Sequence, residues 1–210
     1  MKGILYKPWK IKYIAEHPDM EIQTRRLGGL KEINQADDND WIFKEVIQEI
    51  GGRQRFRFKN TVYNIYLDAY PRYQVGETVY IKEKIARIGD YAVYFSDAKP
   101  VMFHLSANRL HWRWQGHYLS PLHLPEEAAR YFIKILAVRA ERLQEITLED
   151  AKAEGMPLAL PYARGNDLVG ARNLGRIGCY QVIWNSINKD YPWESNPWVW
   201  VIAQKGYIER

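Results

Sequence analysis

Between Trp41 and Leu67 the chain alternates apolar and polar residues with a period of two. "WIFKEVI", "RQRFRFK" and "TVYNIYL" are separated by Gly51-Gly52 and by Lys59-Asn60. A period of two places successive side chains on opposite faces of a strand, so this stretch predicts a β-meander. The same reasoning predicts strands at Ile4–Tyr6, Met20–Arg26, Thr78–Glu83 and "YAVYFSD". Arg130–Leu143 ("RYFIKILAVRAERL") predicts a long two-sided strand, and "WVWVIAQK" a closing one.

Helical periodicity is confined to three places. In Pro8–His17, Trp9, Tyr13 and the Ile11/Ile14 pair form a stripe; Pro8 suits a first helical turn, and Pro18 stops the run. In "TLEDAKAEG", Thr147 with Asp150 three residues on resembles a capping box, and Gly155 supplies the stop. "RIGCYQVIWNSIN" is the third. Residues 28–40, with Gly28, Gly29 and the acidic "DDND", predict a loop, as do the stretches 98–124 and 156–174. This β-majority pattern predicts an α+β fold, a small mixed β-barrel with short helices at its ends. The expectation is a single domain spanning 1–210, with insertions at about 28–72, 98–124 and 156–174.

Composition narrows the function classes. An apolar fraction of 47% in 210 residues allows a real core. The chain carries 8 Trp and 15 Tyr, rings that suit both half-buried walls and base-stacking surfaces. Its net charge of +5 permits a polyanionic partner. Cys179 is the one cysteine, which excludes an internal disulfide and fits a reducing cytoplasm. No apolar run is long enough to cross a bilayer, and no membrane partner is expected.

Candidate chemistry lies in two stretches. "NRLHWRWQGH", Asn108–His117, places Trp112 and Trp114 on one face if extended, with Arg113 on the other. No acidic residue lies between Asp97 and Glu126. Rings interleaved with cations are what a single-stranded nucleic acid requires, although two Trp rings that cover a barrel would give the same pattern. His104, His111, His117 and His123 are six or seven residues apart, too far for the usual metal pairs, so no metal or cofactor is expected. GxxxxGK, GxGxxG and GxSxG are all absent.

The second stretch is "EIQTRRL", Glu21–Leu27. On a strand Arg25 and Arg26 point to opposite faces, and Thr24 shares a face with Arg26. Thr24 and Arg26 are expected to line a cleft, with Arg25 turned outward to a phosphate or solvent. If Thr24 is a nucleophile, Glu83, at a strand end, and Glu154, at a helix end, are the candidate carboxylates to take its proton.

Taken in order, "QTRR", "VGETVYIKE", "SPLHLPEEAARYFIKILAVRAERLQEIT", "LEDAKAEGM" and "WNSINKDYPWESNPWVWVIAQK" resemble the ASCH-domain proteins carried by bacteriophages and prophages. The resemblance covers most of the chain outside the insertions. It implies the PUA-like superfold, a small barrel with helices around a cleft, and a phage-encoded protein of the host cytoplasm. The family motif GxKxxExR falls on Asp19–Arg26. Arg26 matches; Thr24 stands at the glutamate, Glu21 at the lysine and Asp19 at the glycine.

The resemblance implies two activities. Related domains bind RNA or modified bases in the cleft. Together with the ring-and-cation pattern of Asn108–His117, that gives Thr24, Arg25, Arg26, Lys82, Glu83, Trp112, Arg113 and Trp114 as the expected contacts to a nucleic acid or nucleotide ligand. A small bacterial branch instead hydrolyses acetylated cytidine nucleosides, with a lysine, a threonine and a glutamate. Thr24 and Glu154 stand at the last two, while Glu21 stands at the lysine. A carboxylate there would raise the hydroxyl pKa, the reverse of activation. Lys82 or Lys10 would have to replace that cation from elsewhere in the fold. A third reading makes the meander a docking surface for a phage or host protein. The basic balance and the wealth of aromatics favour nucleic-acid binding.

Overall fold

The structure is a computed structural model, and it describes residues 1–35, 40–88, 91–101, 116–158 and 175–209, with the side chains of 91 and 206–209 excepted. The class is mixed α+β. The described residues form strands in three sheets with few short helices, and these strands close no barrel. The chain divides into two compact units. The first contains Met1–Met20, Glu77–Lys134 and Lys205–Arg210; the second contains Glu21–Gly76 and Ile135–Gln204.

In the first unit, β1 (Lys2–Leu5) runs parallel to β6 (Thr78–Lys82), and β6 pairs antiparallel with the start of β10 (Tyr131–Arg142). A second sheet has the order β8-β7-β9, with β7 (Ile85–Ile88) between β8 (Tyr91–Tyr94) and β9 (Tyr118–Leu119). Helix α1 (Pro8–Glu16) begins at its proline and buries Lys10, Ile11 and Ile14, whereas Trp9 of the expected stripe is exposed and Tyr13 half-buried. Tyr80, Ile85, Tyr94, Leu119, Leu124 and Phe132 share one apolar core. The polar tips of its tyrosines are satisfied: Tyr80 donates to the Leu124 carbonyl and Tyr94 to the Ala128 carbonyl.

The second unit is layered about β11 (Trp198–Glu209), which lies between β10 and β2 (Glu21–Arg26) in the sheet order. Along β11, Val199 and Val201 face one way. They pack with Leu143, Ala151, Tyr180 and Trp184 under α3 (Leu148–Ala153) and α4 (Gly175–Ile187). Trp198 and Trp200 face the other way and meet the meander β3 (Trp41–Gln48), β4 (Gln54–Asn60) and β5 (Tyr66–Ala69). Phe58 lies edge-on to Trp198 at 5.1 Å and Phe56 edge-on to Trp200 at 4.7 Å. A strand buried on both faces reads as a continuous apolar run, which is why "WVWVIA" shows no polar alternation.

Local signals explain most boundaries. Thr147 accepts from the Asp150 N–H at 3.0 Å, Asp150 accepts from the Thr147 N–H at 3.1 Å, and Gly155 follows at φ +80°. The expected β-barrel is corrected: among the described residues the strands form three separate sheets. Local expectations change as well. The loop at 28–40 contains a short helix α2 (Lys31–Gln35), the loop at 98–124 contains β9, and a four-residue strand, β7, precedes β8. "TVYNIYL" is strand only from Tyr66; residues 61–65 turn the chain instead, because the Asn60 side chain accepts from the Val62 and Tyr63 N–H groups at 3.0 and 2.9 Å.

Candidate functional site

Strand β2 supplies the core of the predicted site. Thr24 and Arg25 are both buried and Arg26 is half-buried. Consecutive strand residues point to opposite faces, so the two buried side chains enter different layers of the second unit. The layer Arg25 enters is identified by its partners. Its Nη2 donates to Asp150 at 3.1 Å and to Glu141 at 3.4 Å, and its Nη1 donates to Glu154 at 3.3 Å. The guanidinium also lies 5.9 Å from the ring centre of Tyr180 on α4. Arg25 is therefore on the helical face, with its side chain entirely buried. The expected outward-facing Arg25 is corrected: three carboxylates draw its charge inward, and no solvent phosphate reaches it.

The network extends through Arg139, which bonds Glu141 and donates to Asp150 at 3.2 Å and to Gln23 at 3.4 Å. Arg25 and Arg139 thus face Glu141, Asp150 and Glu154. Of these groups Arg25 and Glu154 are buried and hold their charges only when paired, because both have lost their water, while Arg139, Glu141 and Asp150 keep part of theirs. Burial pushes the Asp150 carboxyl up, but the Thr147 N–H, Arg25 and Arg139 together bring it below the ordinary aspartate range. Burial, reinforced by Glu154, pushes the Tyr180 phenol well above its usual value, against the opposing pull of Arg25 and Arg26. The Arg25 Nε is buried with no hydrogen-bond partner among the described residues.

Thr24 by alternation faces the meander side of the sheet, and no hydrogen bond joins it to Glu154. Glu154 caps the C-terminal end of α3 and is held by Arg25. The pair proposed for acyl transfer therefore lies on two sides of one strand. Glu21, at the head of β2, is exposed.

The first unit holds the other predicted residues. Glu83 is buried just past β6 and accepts from Arg130 Nε at 2.8 Å, from Arg130 Nη2 at 2.7 Å and from the Ser96 hydroxyl at 3.2 Å. Arg130 also donates to Asp97 at 2.7 Å and lies 3.9 Å from the ring centre of Tyr94. Burial pushes Asp97 up, but the Arg130 hydrogen bond and the Lys99 N–H leave it below its ordinary value. This Glu83–Arg130–Asp97 set anchors the chain after β6 to the start of β10. Lys82 donates to the Leu122 carbonyl at 2.7 Å, and Lys10 is buried in α1. Trp112, Arg113 and Trp114 lie outside the described residues, as do His104 and His111. Among the described residues no group of His, Cys, Asp and Glu is placed to hold a metal ion.

A feature that sequence reasoning missed lies at the start of β7. The Lys84 ammonium sits 4.0 Å from the ring centre of Phe95 and 4.2 Å from that of Tyr118. The two rings stand edge-to-face at 5.6 Å, and each is more than half exposed. Lys84 precedes the central strand of the β8-β7-β9 sheet. Its carbonyl accepts from the Phe95 N–H at 2.9 Å, and Tyr118 pairs with Ala86 across β7. The ring just past β8 and the ring of β9 thereby close on one lysine. No carboxylate pairs with Lys84 among the described residues. The three residues are far apart in sequence, so no local motif marks them.

Compared with protein-family models, with curated proteins and with solved structures, the chain has no match.

Proposed function

We propose that this chain is a nucleic-acid-binding protein of the PUA-like, phage-borne ASCH type its sequence resembles, and that it takes single-stranded RNA on its first unit. What carries the reading is the uneven partition of charge. The stretches of the first unit contain fourteen Lys and Arg against nine Asp and Glu, those of the second sixteen of each. The whole excess of +5 therefore belongs to the first unit.

Several acids of that unit are already spent. Glu83 and Asp97 bind Arg130, Glu77 binds Lys2 at 2.6 Å, and Glu126 binds the N-terminal ammonium at 2.7 Å. Lys84, between Phe95 and Tyr118, has an ammonium to offer a phosphate beside two exposed rings on which bases stack. The reading keeps the expected ligand class and changes the residues that hold it. Arg25 and Glu83 serve as buried ties, and Lys84, Phe95 and Tyr118 take over the contacts.

The alternative, hydrolysis of an acylated cytidine by Thr24 and Glu154, has less in its favour. Glu154 accepts from a guanidinium on the far side of β2, and no hydrogen bond links it to Thr24.

Fluorescence anisotropy of a labelled single-stranded RNA tests the proposal. Affinity should fall steeply between about 50 and 200 mM salt, as counterion release requires. Phe95→Ala and Tyr118→Ala should each cost about 1–3 kcal/mol of binding, the usual worth of a stacked base. Lys59→Glu, on the second unit, should leave binding unchanged. A flat salt response, or full affinity after both ring deletions, rejects the reading. A preference for free acetylcytidine over the oligonucleotide would transfer support to the alternative.

A further inference from the structure

We propose that the turn between β4 and β5 is a self-association surface, on which a second copy of this chain docks. The turn residues Val62, Tyr63 and Ile65, and Tyr66 at the head of β5, are each between 52% and 74% exposed. Tight turns usually place Gly, Asn or Asp in such positions, and contiguous exposed apolar side chains mark an interaction site. The patch continues onto the open face of the sheet. Tyr66 lies opposite Lys59, which lies opposite Ile42, itself exposed.

The turn is held in shape before any partner arrives. Asn60 is buried, and its side-chain oxygen accepts from both Val62 and Tyr63, while its own N–H donates to the Ile65 carbonyl at 2.9 Å. The Thr61 N–H and hydroxyl both donate to the Asp40 carbonyl, at 2.7 and 3.1 Å. Asn64 takes the left-handed conformation at φ +53°. An apolar tip ordered in advance loses little entropy on docking.

Charge selects the occupant. On this face Arg55 and Arg57 are held by Asp68, each at 2.8 Å, and the Lys59 ammonium lies 5.9 Å from the Tyr66 ring centre, so one lysine stands where a lipid surface or a phosphate chain would call for a cluster of cations. Both a membrane and a nucleic acid need such cations. The stretches of the second unit carry equal numbers of acidic and basic residues, so the chain's excess of +5 lies outside the unit that presents this patch. A two-fold dimer is the commonest assembly that one patch can make with itself. At roughly 150–250 Å² for a whole aromatic side chain, the exposed parts of these five residues offer on the order of 500 Å² per copy. Two copies then bury about 1,000 Å², the lower bound for a specific interface. The expected dimer is of micromolar strength.

Sedimentation velocity of the full chain from about 5 to about 100 μM tests this, with Tyr63→Ser/Ile65→Ser and Tyr66→Ser as variants. The substitutions fall on exposed side chains, so circular dichroism and melting should match the parent. The parent should shift from monomer to dimer with concentration, and both variants should stay monomeric. A parent that remains monomeric throughout, or a dimer that survives both variants, overturns the proposal. A monomer that floats with phosphatidylglycerol vesicles would overturn it in favour of a lipid surface. RNA anisotropy of the same variants stays at the parental value, so failure here is distinguishable from failure of the nucleic-acid reading.

Discussion

Arg25 Nη1 lies 3.3 Å from Glu154 Oε1, 129 residues away in the chain, and this bond fixes which way β2 faces. The strand turns its guanidinium to the helices and Thr24 to the opposite layer. A segment that reads as a catalytic or binding strand is, on its Arg25 side, a buried electrostatic tie between β2, β10 and α3.

Removing that cation should be costly. Arg25→Ala leaves Glu141, Asp150 and Glu154 without the guanidinium that all three share. Breaking a buried pair by removing one partner costs about 3–5 kcal/mol. Arg25→Met with Glu154→Gln should recover part of the loss, because fewer buried charges remain uncompensated. Urea unfolding of the three proteins measures it; Arg25→Ala at parental stability would refute the buried tie.

Acid should weaken the second unit through Asp150. Its carboxyl is held below the ordinary value of 3.8, so the unfolded chain binds the proton more readily than the folded one. The stability this contributes is complete above that ordinary value and is lost as pH falls through the lower, folded value. The midpoint of thermal unfolding should therefore drop below about pH 4. Asp150→Asn should melt lower near neutrality and show a shallower acid slope. Equal slopes for the two proteins would remove Asp150 from the account.

Alkali acts through Tyr94 and Tyr180. Burial, with Glu83 adding, pushes the Tyr94 phenol up against the pull of Arg130, and burial does the same for Tyr180. A raised phenol stays protonated in the folded state while the unfolded chain ionises near pH 10. The stability is complete below that pH and is lost as pH rises through the folded values. Absorbance at 295 nm should show the two tyrosines ionising only with unfolding. Tyr180→Phe should flatten the alkaline loss; a slope unchanged by it would contradict the assignment.

Gly29 should tolerate no side chain. It sits at φ +91°, and a Cβ there would stand 2.7 Å from the Tyr70 carbonyl oxygen. Both the left-handed backbone and the contact with main chain oppose Gly29→Ala, with an expected loss of more than about 1 kcal/mol. Gly28→Ala, where the space is open, should lose less. Thermal melting of the pair separates the two positions, and an equal loss at both would exclude steric approach as the cause.

Sequence alone determined the elements whose signals are local. The long strand over Tyr131–Arg142, the capped helix from Thr147 to Gly155 and α4 follow from periodicity and capping chemistry contained within a dozen residues. Helix α2 escaped because five residues are too few to display a helical period, and strand β7 because "IARI" does not alternate apolar and polar residues. Alternation also showed that Arg25 and Thr24 must part company. Only tertiary structure decided which layer each entered, because that depends on carboxylates more than 100 residues away. The total charge is a property of composition. Its concentration on one unit, and the closing of Phe95 and Tyr118 on Lys84, exist only once distant stretches pack together, since pairing between strands sets distances that no local pattern encodes.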